Sequence, residues 1–324
     1  MVLQGFSRLR VLVCEFVTGG GMRGEPLPAS LAREGAMMRD ALLRDLADLP
    51  GVELVATHDD RLAPPASAQS RPIGEADDVW AIWAALGADA DVAWAIAPET
   101  GGLLSRLSRT LRSACATVVG PDEETIEIAS SKSRTAERLA AHGIRTPQVW
   151  TEAPTDVAGP FVTKPDDGAG CEATLMLDRP PAVGALAAGH VIQPYVPGEA
   201  ASLTVLRAHG ETRLLAATRQ HIRIEDGAFR FYGLSVGAIE DADGRLAALA
   251  EAVCDALCGL EGIFGIDIVL TPDGPVVIEI NPRLTTAYAA LREALGENPA
   301  AMVPPFSRGS LQTAHAVRQV EIAL

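Results

Sequence analysis

The sequence is short of aromatic residues, at 4%, and has no long apolar run, few cysteines and fewer basic than acidic residues. Each shortage excludes something. No stretch is long and apolar enough to span a bilayer, so no membrane association is expected. The opening "MVLQGFSRLR" lacks an apolar segment ahead of a small-residue cleavage site, which argues against a secretory signal. The cysteines, at 14, 115, 171, 254 and 258, are odd in number and unpatterned, so they do not read as a disulfide framework. Cys254 and Cys258 stand one helical turn apart. With no histidine or second cysteine pair beside them, they read as small helix residues rather than metal ligands. The 27 Lys and Arg against 42 Asp and Glu give a net charge of −15. Such a field repels phosphate backbones, so nucleic acid is not an expected partner. A cytoplasmic protein is the expectation.

What is present is a chain of 324 residues, 48% hydrophobic, long enough for two or three packed units. The first 120 residues alternate short apolar runs with helical patterns. "LRVLVCEFV", "VELVATHD", "DVAWAIAPE" and "ATVVG" read as strands. "AREGAMMRDALLRDLADL", "ADDVWAIWAALGAD" and "GGLLSRLSRTLRSA" read as helices, and "LAPPASAQSRP" as a loop. That alternation predicts a parallel α/β layer over residues 1–120. Beyond it, hairpin-like strands, a helix over 242–260 and two last strands predict an α+β half. The Pro-rich "ENPAAMVPPFSRG" reads as a surface excursion.

After the first strand, Gly19, Gly21 and Gly24 spell G-x-G-x-x-G. A dinucleotide turn opens directly into a helix and has an acid about 20 residues on. Here "EPLPASL" follows Gly24, and the next strand's acid, Asp59, lies much further along. Gly19, Gly20 and Gly21 are therefore expected as a flexible loop facing the acceptor substrate. Glu99, at a strand's C-terminal end, is a candidate contact of the same kind.

"GIDIVLTPDGPVVIEINPR" is the most informative segment. With Pro272-Asp273-Gly274 as a three-residue hairpin loop, Thr271 opposes Pro275 and Asp267 opposes Glu279. Asn281 follows on the same face, while Ile266, Ile268, Ile278 and Ile280 face away. Two opposed carboxylates on core strands repel each other and call for a cation. An oxygen donor set of this kind suits Mg²⁺, with Mn²⁺ as a substitute.

Other segments carry weaker signals. Lys164 ends an apolar strand just before Gly168 and Gly170, whose backbone N–H groups can converge on an anion. Lys132 opens a helix that Ser130 or Ser131 can cap. Gln193, the extended stretch through Tyr195 and Val196, and Glu199 follow a strand end, where backbone groups could pair with a base edge and a carboxylate with ribose.

Taken in series, Lys132, Lys164 with "DDGAG", "QPYVPGE" and "GIDIVL…VVIEINPR" resemble the ATP-grasp superfamily over residues 120–295. The resemblance implies a pre-ATP-grasp domain (1–120) and two α+β subdomains (121–198 and 199–324) clamping ATP. It implies Lys132 and Lys164 on the phosphates, with the 167–171 loop closing over them. Gln193 with the backbone of Tyr195 and Val196 would hold adenine, and Glu199 the ribose. Asp267, Glu279 and Asn281 would hold the metal. Arg283 would stabilise an acyl phosphate or tetrahedral intermediate, with Arg219 sharing that task. His221 reads as structural. The implied activity is ATP-dependent joining of a carboxylate to an amine, with ADP and phosphate released. "EFVTGGGM", "EGAMMRDALLRDL" and "WAIAPETGGLL" are similar to the tyramine–glutamate ligase group of methanofuran-type cofactor biosynthesis. Competing expectations are a non-catalytic ATP-binding regulator of the same fold, an ATP-grasp ligase for another amino-acid or pterin-type substrate, and an NAD(P) enzyme using the glycine turn. An exposed sheet edge would support a homo-oligomer.

Overall fold

The structure is a computed structural model that describes residues 8–155, 157–168, 170–307 and 317–324. Its first layer contains β1 (Leu9–Glu15), α1 (Ala29–Ala47), β2 (Val52–Asp59), β3 (Gln69–Ile73), α2 (Val79–Ala88), β4 (Val92–Ile96), α3 (Leu103–Ala114) and β5 (Thr117–Val119). The strands form a parallel sheet in the order β3-β2-β1-β4-β5. Alternation along β1 explains why both faces are covered. Val11 and Val13 join Met38, Leu42 and Leu46 of α1, while Leu12 and Cys14 join Trp83 of α2 and Leu107 of α3. β3 lies within the stretch expected as loop. It is an exposed edge strand carrying Arg71 and Pro72, so it lacks the apolar alternation that marks an inner strand.

The second half contains α4 (Glu123–Ala129), α5 (Lys132–Ala141), β6 (Phe161–Pro165), β7 (Leu175–Leu177), β8 (His190–Pro194), β9 (Glu199–Ala208), β10 (Glu211–Glu225) and β11 (Ala228–Val236). It continues with α6 (Arg245–Ala256), β12 (Gly262–Thr271), β13 (Gly274–Asn281), α7 (Tyr288–Leu295) and β14 (Val320–Ala323). The strands form one antiparallel sheet, β13-β12-β9-β10-β11-β7-β6-β8, with β14 added beside β11. α6 is shorter than the expected 242–260 helix, because Asp241 accepts the N–H groups of Leu246 and Ala247 and sets its start.

The boundary expected at 120/121 falls between β5 and α4, and that at 198/199 at the start of β9. Packing does not follow these divisions. Ile128, Ala129 and Leu139 of α4 and α5 share a core with β9, β12, β13 and α6. Another core joins β1, β2, β4 and α1 of the first layer to α7 and the inner residues Leu215, Leu234 and Val236 of the second. The strands β6 and β8 stand apart from both. Phe161, Val162, Val191 and Ile192 are buried, yet belong to none of the three large apolar clusters. Their strand group joins the main sheet through one β7–β11 register pair, Leu175 with Ala228.

The segment expected as a surface excursion is packed instead. Ala300 and Val303 are buried, and the ring of Phe306 stacks on Trp94 at 6.3 Å. Residues 308 and 309 of that stretch lie outside the described residues. Prolines marked it as loop, but loop and surface are separate properties.

The glycine turn is also not a flexible loop. Val17–Gly21 is a tight turn in which Gly19 and Gly20 are buried. Glu15 accepts the N–H groups of Val17 (3.0 Å) and Thr18 (2.6 Å), and Thr57 donates to the Gly19 carbonyl at 2.7 Å. Gly20 has φ of 102°, and a Cβ there would lie 2.5 Å from Cβ of Ile73. Gly20→Ala is therefore expected to cost about 2–4 kcal/mol of stability, measured by denaturant unfolding, without changing nucleotide affinity. Among the described residues, no helix is long and apolar enough to cross a membrane.

Candidate active site

The acids of the site are set by register. Thr218, Ser202, Asp267 and Glu279 occupy successive paired positions across β10, β9, β12 and β13, so they share one face of the sheet. On the opposite face Ile266, Ile268, Val277 and Ile280 are buried in apolar contact. The hairpin reaches this register by an unexpected route. Its loop is two residues, since Thr271 pairs with Gly274 rather than Pro275. That alone would misalign the strands by one position. A bulge between Ile268–Val277 and Asp267–Glu279 inserts Ile278 and restores the pairing. Ile278, expected to face the core, lines the cleft as a result.

Asn281 donates to one oxygen of Asp267 at 3.1 Å, and Gln220 donates to the other at 3.0 Å. Gln220 was not foreseen. It lies two residues beyond Thr218 and so on the same face, a position that the β9–β10 register would have revealed.

The cations approach from two other elements. Lys132 is the first residue of α5, whose N-cap is Ser131, and Asp166 accepts from the Ser133 N–H at 2.8 Å. Lys164 sits on β6. Both ammonium groups reach the same oxygen of Glu279, at 3.4 Å from Lys132 and 3.7 Å from Lys164. Lys132 also donates to the carbonyl of Gly168 at 2.6 Å, which fixes the glycine loop against the helix. These are the only two lysines in the chain. Histidine aside, every other basic side chain is arginine. A compact ammonium on a flexible stem fits this crowded spot where a planar guanidinium does not.

The four charges are not in balance. Burial pushes the Asp267 carboxyl up to about 7, with the Glu279 charge acting in the same direction. Burial also opposes the charged form of Glu279, but Lys132 and Lys164 outweigh it and hold that carboxyl below its ordinary range. Lys164 is pushed down by burial, opposed by Glu279. Two carboxylates opposed across a strand pair, one of them resisting ionisation, form a donor set that a divalent cation would satisfy. Among the described residues, no group of three or more His, Cys, Asp or Glu could hold a metal, so a cation here would draw on the two carboxylates and the Asn281 amide.

A pH effect follows. The folded Asp267 carboxyl lies above its unfolded value, so its contribution to stability is present at low pH and is lost as pH rises toward 7. Glu279, shifted the other way, titrates below its ordinary range and leaves the upper part of that window to Asp267. The melting temperature of the metal-free protein should therefore fall between about pH 5 and 7. Asp267→Asn, or added divalent cation, should flatten that slope.

Asp267, Glu279 and Lys164 line a cleft of about 430 Å³, within the size range of small-ligand sites. Val162, Gln193, Tyr195, Val196, Ile278, Phe229, Gly170 and Glu199 line it as well. Gln193 is buried and its Oε1 has no hydrogen-bond partner among the described residues. The Tyr195 N–H is already bonded to the carbonyl of Pro160, at 2.9 Å. Glu199 is ion-paired with Arg219, and each side chain is about two-fifths exposed. Arg219 is not among the residues lining the cleft. His221 lies beside it on β10, bonded to Ser235 at 2.8 Å.

Arg283 follows β13 and is buried against the first layer, where its guanidinium donates to Glu99 at 2.8 Å. Glu34 of α1 is a further carboxylate beside Arg283. Burial raises its pKa and Arg283 acts against that rise. From the same turn as Glu99, the N–H of Gly101 donates to Asp167 of the glycine loop at 2.8 Å. Gly19, Gly20 and Gly21 do not line the cleft. Ala169, inside the expected 167–171 loop, lies outside the described residues.

This is the arrangement of an ATP-grasp protein, and the chain is one: residues 129–287 match the ATP-grasp domain family and residues 52–126 the pre-ATP-grasp domain family. Within that class it is similar to the tyramine–L-glutamate ligase of Methanocaldococcus jannaschii, at 25% identity over 202 residues. That match covers 62% of this chain and 58% of the relative. The tyramine–L-glutamate ligase of Methanocaldococcus fervens is 24% identical over 287 residues, 87% of this chain and 89% of the relative. Among solved structures, an ATP-grasp superfamily protein from Archaeoglobus fulgidus has a TM-score of 0.76 at 22% identity, covering 98% of this chain and 99% of that one.

Proposed function

We propose that the chain is an ATP-dependent ligase that joins a carboxylate to an amine through an acyl phosphate and releases ADP and phosphate. The observation that carries this reading is the half-buried Asp267–Glu279 pair, with Lys132 and Lys164 both reaching Glu279. The reading places the two α+β subdomains, 121–198 and 199–324, on either side of the nucleotide.

In this reading the unpartnered Gln193 amide, the Tyr195 carbonyl and the Val196 N–H read the adenine edge. Val162 and Ile278 supply apolar faces for the base. Glu199, steadied by Arg219, takes the ribose. Lys132, Lys164 and the N–H groups around Gly168 and Gly170 hold the phosphates. Asp267, Glu279 and Asn281 would hold Mg²⁺ or Mn²⁺, which would neutralise charge on the phosphates as the terminal phosphoryl moves. The lysines then exchange Glu279 for phosphate oxygens. Arg283 faces the acyl group and offsets charge on the phosphorylated carboxylate and on the tetrahedral adduct. Activation is needed because a carboxylate is a poor electrophile for an amine at neutral pH, whereas an acyl phosphate has a good leaving group. Closure of the glycine loop keeps water from that intermediate.

The names of the two Methanocaldococcus relatives support the γ-carboxylate of glutamate as the acid and tyramine or a related amine as the nucleophile. The test is incubation with Mg-ATP, L-glutamate and a panel of amines, assaying ADP, AMP and amide. ADP and amide that depend on both acid and amine support the reading, and AMP as product refutes it. The scarcity of lysine offers an independent check of the nucleotide site. An amine-directed reagent followed by mass spectrometry should modify only Lys132, Lys164 and the α-amino group, and ATP should protect both lysines.

A further inference from the structure

Arg283 is flanked by the carboxylates of Glu99 and Glu34, and Arg33 is a second cation acting on Glu34. Arg283 donates to one oxygen of Glu99, and the other, Oε1, is buried with no partner among the described residues. Glu99 is 4% exposed, so water does not satisfy that oxygen. The Nε of Arg283 is likewise buried and unpartnered. Glu34 adds a second carboxylate, with Thr286 as its hydroxyl neighbour at 3.5 Å. Asp267 and Glu279 also act on the Arg283 charge.

We propose that Glu99 and Glu34 form a recognition site for the ammonium group of an amino-acid substrate, and that this substrate's carboxylate displaces Glu99 from Arg283. The proposal rests on the ligase reading given above. Its logic is charge conservation in a buried space. When a substrate carboxylate takes the guanidinium, Arg283 loses one anion and gains another. Glu99 is then a buried carboxylate with no cation, which is strongly unfavourable. A substrate that brings its own ammonium group cancels that cost, and one that brings only carboxylates does not. The site therefore selects a zwitterion by penalising its deaminated analogue, a stronger form of discrimination than added attraction alone. A metal ion fits this place less well, because one oxygen of Glu99 is already bonded to Arg283 and the described residues offer no third ligating side chain.

The test compares L-glutamate with glutarate, which lacks only the ammonium group. Calorimetric binding and the kcat/KM for ADP release are measured in the wild type, Glu99→Gln and Glu34→Gln. Gln at position 99 keeps an oxygen for Arg283, and thermal melting with ATP binding verifies the fold of each variant. The wild type should prefer glutamate by about 10- to 100-fold. Glu99→Gln should bring the ratio near one at unchanged ATP affinity, and Glu34→Gln should lower it partway. No preference in the wild type overturns the inference, as does an undiminished ratio in folded Glu99→Gln. Amide formation with that undiminished ratio leaves the ligase reading standing alone. Glu99-dependent binding of glutamate without amide formation supports the inference and removes the ligase reading.

Discussion

Glu279→Gln is expected to lower turnover by about 10³-fold or more while the protein stays folded. Glu279 accepts both lysines and, in the proposed function, supplies one of the two carboxylates for a divalent cation. The amide has nearly the same shape, so packing is kept. Charge balance is kept as well. With Glu279 neutral, Asp267 no longer faces a like charge, its carboxyl ionises more readily, and it becomes the counter-ion of Lys164. The variant should therefore melt within a few degrees of the parent and bind nucleotide without added metal. Its response to Mg²⁺ should be lost. Thermal melting with and without Mg²⁺, together with ADP release, checks all three outcomes, and unimpaired turnover refutes the metal assignment.

Arg283→Ala is expected to act on both activity and stability. Loss of a buried donor aimed at developing negative charge typically costs about 10²- to 10³-fold in kcat. The same change strands Glu99, which is 4% exposed, and breaking a buried ion pair from one side costs about 3–5 kcal/mol. Removing the second charge separates the two effects. In Arg283→Met combined with Glu99→Gln, most of the stability should return and the activity should not. Denaturant unfolding and ADP release on the same samples decide this. If kcat is unchanged in the single variant at saturating substrates, Arg283 has no part in the chemistry. Affinity for ATP alone should hold in both variants, since Arg283 is not among the residues that line the cleft proposed for the nucleotide.

Much of the site was legible because it is written in short range. The expected pairing of Asp267 with Glu279 is present in the structure, and the hairpin reaches it through two compensating departures from the expected geometry. The loop is one residue shorter than assumed, and a bulge at Ile278 adds the residue back. Binary apolar patterning cannot show a bulge, because the inserted residue is itself apolar. Gln220 and Glu34 were missed for a different reason. Each is an ordinary polar residue within its own segment, and each gains meaning only from what the sheet register or a distant helix brings beside it. The lysines carried a compositional signal that motif spacing did not use. In a chain with two lysines, their separate appearance in two site motifs is informative. The glycine turn and the tail at 297–307 were misplaced because glycine and proline report backbone conformation, which was taken for exposure. Both segments are tightly packed.

The separateness of β6, β7 and β8 has a mechanical consequence. Most of the molecule is fused by cores that run through the nominal boundaries, so the pre-ATP-grasp layer, the acids and Arg283 form a single anvil. Lys164, Gln193 and the glycine loop ride on a small strand group with its own apolar filling and one register pair to its neighbour. What ties that light hammer to the anvil is polar rather than apolar: Lys132 and Ser133 of α5 hold Gly168 and Asp166, and Gly101 holds Asp167. In the proposed function, a ligand that takes over those polar contacts would free the strand group to move while the acids and Arg283 keep their places.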